Sequence, residues 1–452
     1  MVLKEESVSW ALSHGLMVSG GVAPITLLPS SFSRPLIERA LDISPIFNEL
    51  VHQVSLNTDF IQKTLHSVDH DQFTKNLLEI LSQVTSEGVT QPIGLGIHRS
   101  DYMLHRPAGV ALEDTQLYQV EINTISSAFP SLSTLTSTLH RYLIERHSLS
   151  AYDPKNLFPN NSRKGVASAL AHAKSLYPAS DSVIMMVVNS SELNSTDQRL
   201  LEYQIWEDHR VSLIRRSLTD IGQRATLDPT TKTLSIDGMK VAVSYFRSGY
   251  KPEDYPTDLE WKARLTIERS NSIKCPNINY HLVGTKKMQQ VLAGPGVIEK
   301  FLSTEKCQKL RQCFTGLYSL DPTDSPQEII AKVLSNPDAY VMKPQREGGG
   351  NLLHGPAMVQ ALQTMSPEEK GAYIIMDKIV PPAKDTWVIL KSGQLALMDA
   401  ISEIGTYGVY IGDDKKTYLN ECVGTLVRTK SRNDADGGVC AGVAVLDTIY
   451  LV

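Results

Sequence analysis

Along the first ninety residues apolar positions recur at three- and four-residue steps. Leu36, Ala40, Ile43, Phe47, Leu50 and Val54 make one such face, and Phe73, Leu77, Ile80, Leu81 and Val84 a second, so the region is predicted to be mostly helical. Pro45 is expected to kink or restart the first helix, because its ring removes a donor and crowds the preceding turn. From Pro92 the period shortens. Ile93–Ile97 reads as a strand ending at Arg99-Ser100-Asp101-Tyr102-Met103. Leu117–Asn123 alternates, which puts Val120 and Ile122 on one face and Glu121 and Asn123 together on the other. A turn of small residues, 124–128, follows.

Helical spacing returns over 132–149 and 164–176. Val183–Val188 is continuously apolar, as in a buried parallel sheet. After a polar loop, Asp197 could begin a helix whose first turn includes Gln198. Val211–Ile214 and Val241–Phe246 are further candidate strands, the latter running into Arg247-Ser248-Gly249-Tyr250. This alternation predicts an α/β unit whose polar groups collect at the carboxyl ends of strands, where open sheets bind ligands. Gly284-Thr285-Lys286-Lys287 opens a helix, and 372–379 is another buried strand. The runs 386–390 and 395–398 flank a turn at Ser392-Gly393, a hairpin continued antiparallel through Glu403 and 408–411. Val427–Lys430 sets Arg428 and Lys430 on one face and leads into a small-residue loop, 434–442, expected to be a mobile lid.

Bulk properties narrow the class. The chain has 452 residues, enough for two or three domains, and no apolar run long enough to span a bilayer. Its net charge of −5 argues against nucleic acid as a partner. The acidic N-terminal stretch does not look like a secretory signal. The five cysteines show no CxxC pair or zinc spacing, which fits a reduced, cytoplasmic setting.

The chemistry concentrates in Tyr340-Val341-Met342-Lys343-Pro344-Gln345-Arg346-Glu347-Gly348-Gly349-Gly350-Asn351. Three successive glycines mean either a floppy linker or a backbone that something must approach closely. A lysine at the strand end favours the second, since an ammonium and exposed N–H groups suit a polyphosphate. Glu347 would repel phosphate without an intervening cation, which makes it a candidate Mg²⁺ ligand. Glu121 and Asn123 offer the same hard-oxygen chemistry, although an alternating polar face is also ordinary for a half-buried strand. The spacing matches neither the P-loop nor the dinucleotide fingerprint. With Lys286, Lys343, Lys378 and Lys430 the set suits phosphoryl transfer or ATP-driven ligation on a grasp-type fold.

The glycine stretch resembles that of eukaryotic glutathione synthetases. So, in the family's order, do Arg99–Met103, Glu121 and Asn123 around Ile122, Tyr245-Phe246-Arg247, Gly284–Lys287, Leu426–Lys430 and Ala435-Asp436-Gly437-Gly438-Val439. The resemblance covers about Pro24 to Val452. It implies an α/β (α+β) chain with an ATP-grasp fold. A helical N-terminal region and the first part of the core would occupy 1–180, an inserted parallel α/β substrate-binding domain 181–283, and the core and lid 284–452. It further implies a homodimer that joins γ-glutamylcysteine to glycine through an acyl phosphate, with ATP as co-substrate and Mg²⁺ as cofactor.

By the same resemblance the metal falls to Glu121, Asn123 and Glu347. The nucleotide falls to Glu121, Lys286, Lys343, Glu347, Gly348, Gly349, Gly350, Asn351, His354, Met376, Asp377, Lys378, Ile379, Glu403, Lys430 and Asp436. The dipeptide and glycine fall to Arg99, Ser126, Ser127, Ala128, Glu192, Asn194, Gln198, Arg247, Tyr250, Arg428, Val439 and Cys440, with Arg428 also serving the transition state. Leu352, His354, Ala128 and Cys440 depart from the usual pattern. They leave open a ligase with another acceptor, such as alanine or serine, or a weakly catalytic binding protein.

Overall fold

A computed structural model describes residues 2–66, 71–344, 352–434 and 438–452. The pattern of short periods from Pro92 onward becomes a thirteen-stranded sheet with two wings. In one wing Lys384–Ile389, Leu395–Gly412 and Thr417–Ser431 run antiparallel, and Leu395–Gly412 pairs antiparallel with Gly94–His105. In the other, Gly94–His105, Ile273–Cys275, Met239–Phe246, Val183–Val187 and Leu213–Arg216 are linked by parallel pairings. The continuously apolar Val183–Val187 is buried at every residue, as a strand covered on both faces must be. The strands between 181 and 283 therefore hydrogen-bond into the same sheet as Gly94–His105. A second, three-stranded antiparallel sheet of Leu317–Ser319, Tyr373–Asp377 and Tyr340–Pro344 stands apart with its own core, in which Met342, Ile375, Met358 and Leu362 are buried.

The N-terminal region is helical as expected, with Arg34–Ser55 and Gln72–Glu87 burying the two apolar faces against one core. Pro45 neither ends nor restarts its helix, which runs unbroken over 22 residues. Burial of Ile43, Phe47, Leu50 and Val54 on one stripe outweighs the single backbone bond that proline removes. Short strands at Ile25–Thr26 and Ser30–Phe32, too brief to show a period, tie this region to the C-terminal strands.

The strand predicted over 93–97 instead continues to His105. Its polar second half has partners on both edges, Gln116–Asn123 and Leu395–Gly412, and its charges pair internally, so the ladder carries it where hydropathy does not. The strand predicted at 211–214 begins two residues later, at Leu213, where parallel register with Ile184 starts.

Candidate active site

The two sheets face each other across a cavity of about 1000 Å³. Glu121 and Asn123 of Gln116–Asn123 turn into it as alternation predicts, whereas Val120, expected on the other face, lines it too because the ladder is irregular between Gln119 and Glu121. Lys286, at the first turn of the helix Lys286–Ala293, forms an ion pair with Glu121 at 2.9 Å. From the small sheet Lys343 reaches across and donates to the Val120 carbonyl at 3.0 Å, which joins the sheets beside that carboxylate. Burial alone would raise the Glu121 carboxyl, but Lys286 and Lys343 hold it well below the usual carboxylate range, so it is ionised. Met376, Asp377, Lys378 and Ile379 line the same wall at the end of Tyr373–Asp377, and Leu352 and His354 line it on the far side of the glycine stretch. Paired backbone hydrogen bonds join Met342 and Leu353. Glu347, Gly348, Gly349, Gly350, Asn351 and Asp436 lie outside the described residues.

The opposite wall is the antiparallel wing. Period two carries Arg428 and Lys430 to the cavity together, and Glu403, directly across from Arg428, joins them in an ion pair. Arg99 also lines the wall, and its guanidinium makes a bidentate pair with Asp101 at 2.7 and 2.9 Å. The pair lies flat on the neighbouring strand because that strand has Gly405 there. A Cβ on Gly405 would sit 2.6 Å from the Asp101 carboxylate and 2.8 Å from Arg99. Burial pushes the Glu403 carboxyl up while Arg428 opposes the shift.

The turn after Asn123 brings Ser126, Ser127 and Ala128 to the end of the cavity, where Tyr250 meets them. Ser126 and Phe129 both adopt positive φ, 54° and 74°. Asp197 holds this turn. Fully buried, it accepts the N–H groups of Phe129, Ser131 and Leu132 at 3.0, 2.9 and 3.1 Å, at the start of the helix Pro130–Arg146, and pairs with Arg247 at 3.5 Å. Burial raises the Asp197 carboxyl against Arg247 and the three amides.

Arg247, Glu192, Asn194 and Gln198 are brought together, but behind this end of the cavity and not on its described lining. Glu192 accepts from the Asn194 backbone and the Gln198 amide, both at 2.8 Å, and Gln198 in turn accepts from Arg215 at 2.5 Å. Asn194 Oδ1 and Arg247 Nε are buried with no protein partner among the described residues, the condition in which a polar atom awaits ligand or water. The side chains of Val439 and Cys440 do not line the cavity either. Val439 is fully buried among Tyr407, Leu426 and Leu446, so this half of the expected lid is anchored in the core. Burial beside Glu192 and Asp197 pushes the Cys440 thiol up to about 11, which leaves it protonated and unreactive at neutral pH.

Sequence reasoning passed over Asp101 and Asp254 and read Asp197 only as a helix start. Asp101 had a usable signal, since period two places it on the face of Arg99. Asp254 accepts the Gly249 and Tyr250 N–H groups at 2.7 and 3.1 Å and so shapes the loop that presents Tyr250, a contact across four and five residues of irregular loop to which periodicity does not apply.

The cavity between the two sheets is large enough for a nucleotide and is walled by lysines and arginines beside the ionised Glu121 carboxylate, an arrangement suited to an ATP-dependent ligase. The chain belongs to the eukaryotic glutathione synthase family, whose ATP-binding domain matches residues 1–451. It is 42% identical to the glutathione synthetase of Dictyostelium discoideum over 99% of this chain and 98% of that protein. The Homo sapiens glutathione synthetase is 40% identical over 100% and 96% of the two chains. Among solved structures, a glutathione synthetase-like effector from Globodera pallida superposes with a TM-score of 0.80 at 22% identity, covering 100% of this chain and 96% of that one, which is a likeness of fold. No helix among the described residues is long and apolar enough to cross a membrane.

Proposed function

We propose that the protein joins γ-glutamylcysteine to glycine at the expense of ATP, releasing glutathione, ADP and phosphate. A dipeptide carboxylate oxygen attacks the γ-phosphorus and ADP leaves. The glycine nitrogen then attacks the acyl carbon, phosphate departs with the bond electrons, and the amine gives up a proton to solvent. The carrying observation is that Lys343 of the small sheet meets the strand bearing Glu121 and Asn123 across one cavity, so nucleotide phosphates and a carboxylate can share it.

Each wall has a separable task. Lys286, Lys343 and Lys430 offset phosphate charge at the nucleotide end. Arg99, the Ser126–Ala128 turn, Arg247 and Tyr250 take the dipeptide, whose carboxylates need the cations. Arg428 faces the place where charge builds up as the phosphoryl group moves, and its partners Asp101 and Glu403 hold it there in advance.

Mg²⁺ fits the donor set. Glu121 is ionised, and both N–H groups of Asn123 are engaged by Arg99 O and Asp101, which leaves its amide oxygen for a cation. No group of three or more acidic, histidine or cysteine side chains gathers as a metal site among the described residues; Glu347, the further ligand that the family resemblance implies, lies outside them. When bound, such an ion would offset the negative charge on the nucleotide phosphates during transfer. We read the protein as a cytoplasmic homodimer, to be checked by sedimentation and by a fluorescent fusion. ADP release with γ-glutamylcysteine, ATP and Mg²⁺, using glycine, alanine and serine side by side, tests the activity. Glycine should be clearly preferred, and release no faster than without an acceptor would refute the assignment.

A further inference from the structure

Asp101 is fully buried, yet three site residues from three strands converge on its carboxylate. Arg99 donates from Nε to Oδ1 at 2.7 Å and from Nη2 to Oδ2 at 2.9 Å. Asn123 Nδ2 and Arg428 Nη2 donate to Oδ2 at 2.9 and 3.1 Å. One of these bonds falls on Oδ1 and three on Oδ2, and the carboxylate is fully buried behind the cavity lining, so it is committed to these donors rather than presented to a metal or substrate. Asp101 therefore acts through its neighbours.

Its effect on Asn123 is directional. An amide has one donor end and one acceptor end, and both groups beside Nδ2, the Arg99 carbonyl and the Asp101 carboxylate, only accept. Were the amide turned over, its oxygen would face two oxygens. The NH₂ must therefore point inward, and Oδ1 is left for the cavity that Asn123 lines. Arg99 and Arg428, like charges drawn to one carboxylate, are held in place by the same group.

We propose that Asp101 is the positioning residue of the cation site: it fixes the Asn123 amide with its oxygen toward the cavity while holding Arg99 and Arg428 in register. The proposal rests on the metal role given above to Asn123, but its test needs no turnover. Mn²⁺ binding would be followed by the paramagnetic resonance of free Mn²⁺ in the presence of a non-hydrolysable ATP analogue. Asp101→Asn removes the charge and half of the acceptor capacity that Arg99, Asn123 and Arg428 share, and is expected to weaken Mn²⁺ binding about tenfold to a hundredfold, the usual range for losing a partner that orients a metal ligand. Nucleotide affinity measured in EDTA should stay near wild type.

The exchanged pair Asp101→Asn with Asn123→Asp rebuilds the hydrogen bond in the reverse direction and should restore Mn²⁺ binding. Asn123→Asp alone sets two carboxylates against each other and should bind more weakly than the exchanged pair, a comparison that stands even if the first variant fails to fold. Wild-type Mn²⁺ affinity in Asp101→Asn, failure of the exchanged pair to recover it, an equal fall of nucleotide affinity in EDTA, or no Mn²⁺ binding by the wild-type protein would each overturn the proposal. Wild-type ADP release without the acceptor preference given above would instead count against the assigned reaction alone.

Discussion

Replacing Asp197 by alanine removes one carboxylate with two duties. It deletes the acceptor of three N–H groups at the start of the helix Pro130–Arg146, a loss of the kind that costs about 0.5–2 kcal/mol at a helix cap. It also strands Arg247, whose side chain is 3% exposed and whose Asp197 partner is fully buried. Breaking a buried pair from one side costs about 3–5 kcal/mol, so the unpaired guanidinium sets the scale. With an unfolding entropy of about 2.1 cal/mol/K per residue, 452 residues give roughly 0.95 kcal/mol/K, and Tm should fall by about 3–5 °C. Function should suffer unevenly, because the turn 126–129 and Arg247 serve the dipeptide end while Lys286 and Lys343 stand elsewhere. Steady-state ADP release should show a raised KM for γ-glutamylcysteine and an unchanged KM for ATP. The double variant Asp197→Asn with Arg247→Met, neutral on both sides, should regain most of the Tm but not the dipeptide KM. A single variant that melts with the wild type, or an ATP KM that rises in step with that for the dipeptide, would refute this reasoning.

Other expectations follow from the same geometry. Arg428→Ala should lower turnover by about a hundredfold to a thousandfold, as for loss of a donor aimed at developing charge, with a much smaller effect on ATP binding; equal losses in single-turnover rate and nucleotide affinity would contradict that role. Lys343→Ala should raise the ATP KM about tenfold to a hundredfold, the worth of a charge-assisted contact, and an unchanged value would remove it from the site. Burial depresses His98 from its ordinary 6.5 to about 3, and neither ring nitrogen has a hydrogen-bond partner among the described residues. The unfolded chain takes up that proton first, so this stability is present above pH 6.5, is lost as pH falls toward 3, and has dropped by about 2 kcal/mol at pH 5. His98→Leu should lose less Tm between pH 7.5 and 5 than wild type; parallel losses would exclude His98 as a cause.

Much of the site was legible because its parts are local. Alternation alone places Glu121 beside Asn123 and Arg428 beside Lys430, and both pairs do face the cavity. Apolar continuity marked Val183–Val187, and helical spacing marked Arg34–Ser55. The reading failed where a neighbour across the sheet overrides local preference. Arg99–Met103 looks like the end of a strand, yet two flanking strands carry it on to His105. Pro45 looks like a break, yet the buried stripe on either side holds the helix together.

By itself the sequence determined which side chains can do chemistry and which face of its own element each one occupies, since backbone periodicity acts over a few residues. Tertiary structure decided which faces meet. Asp101, Asn123 and Arg428 lie on three strands, and nothing local relates position 101 to 428; only sheet register and the missing side chain at Gly405 put them on one carboxylate. The arginines cluster there because a buried charge has to find its opposite, a requirement met by whichever residue the fold brings near.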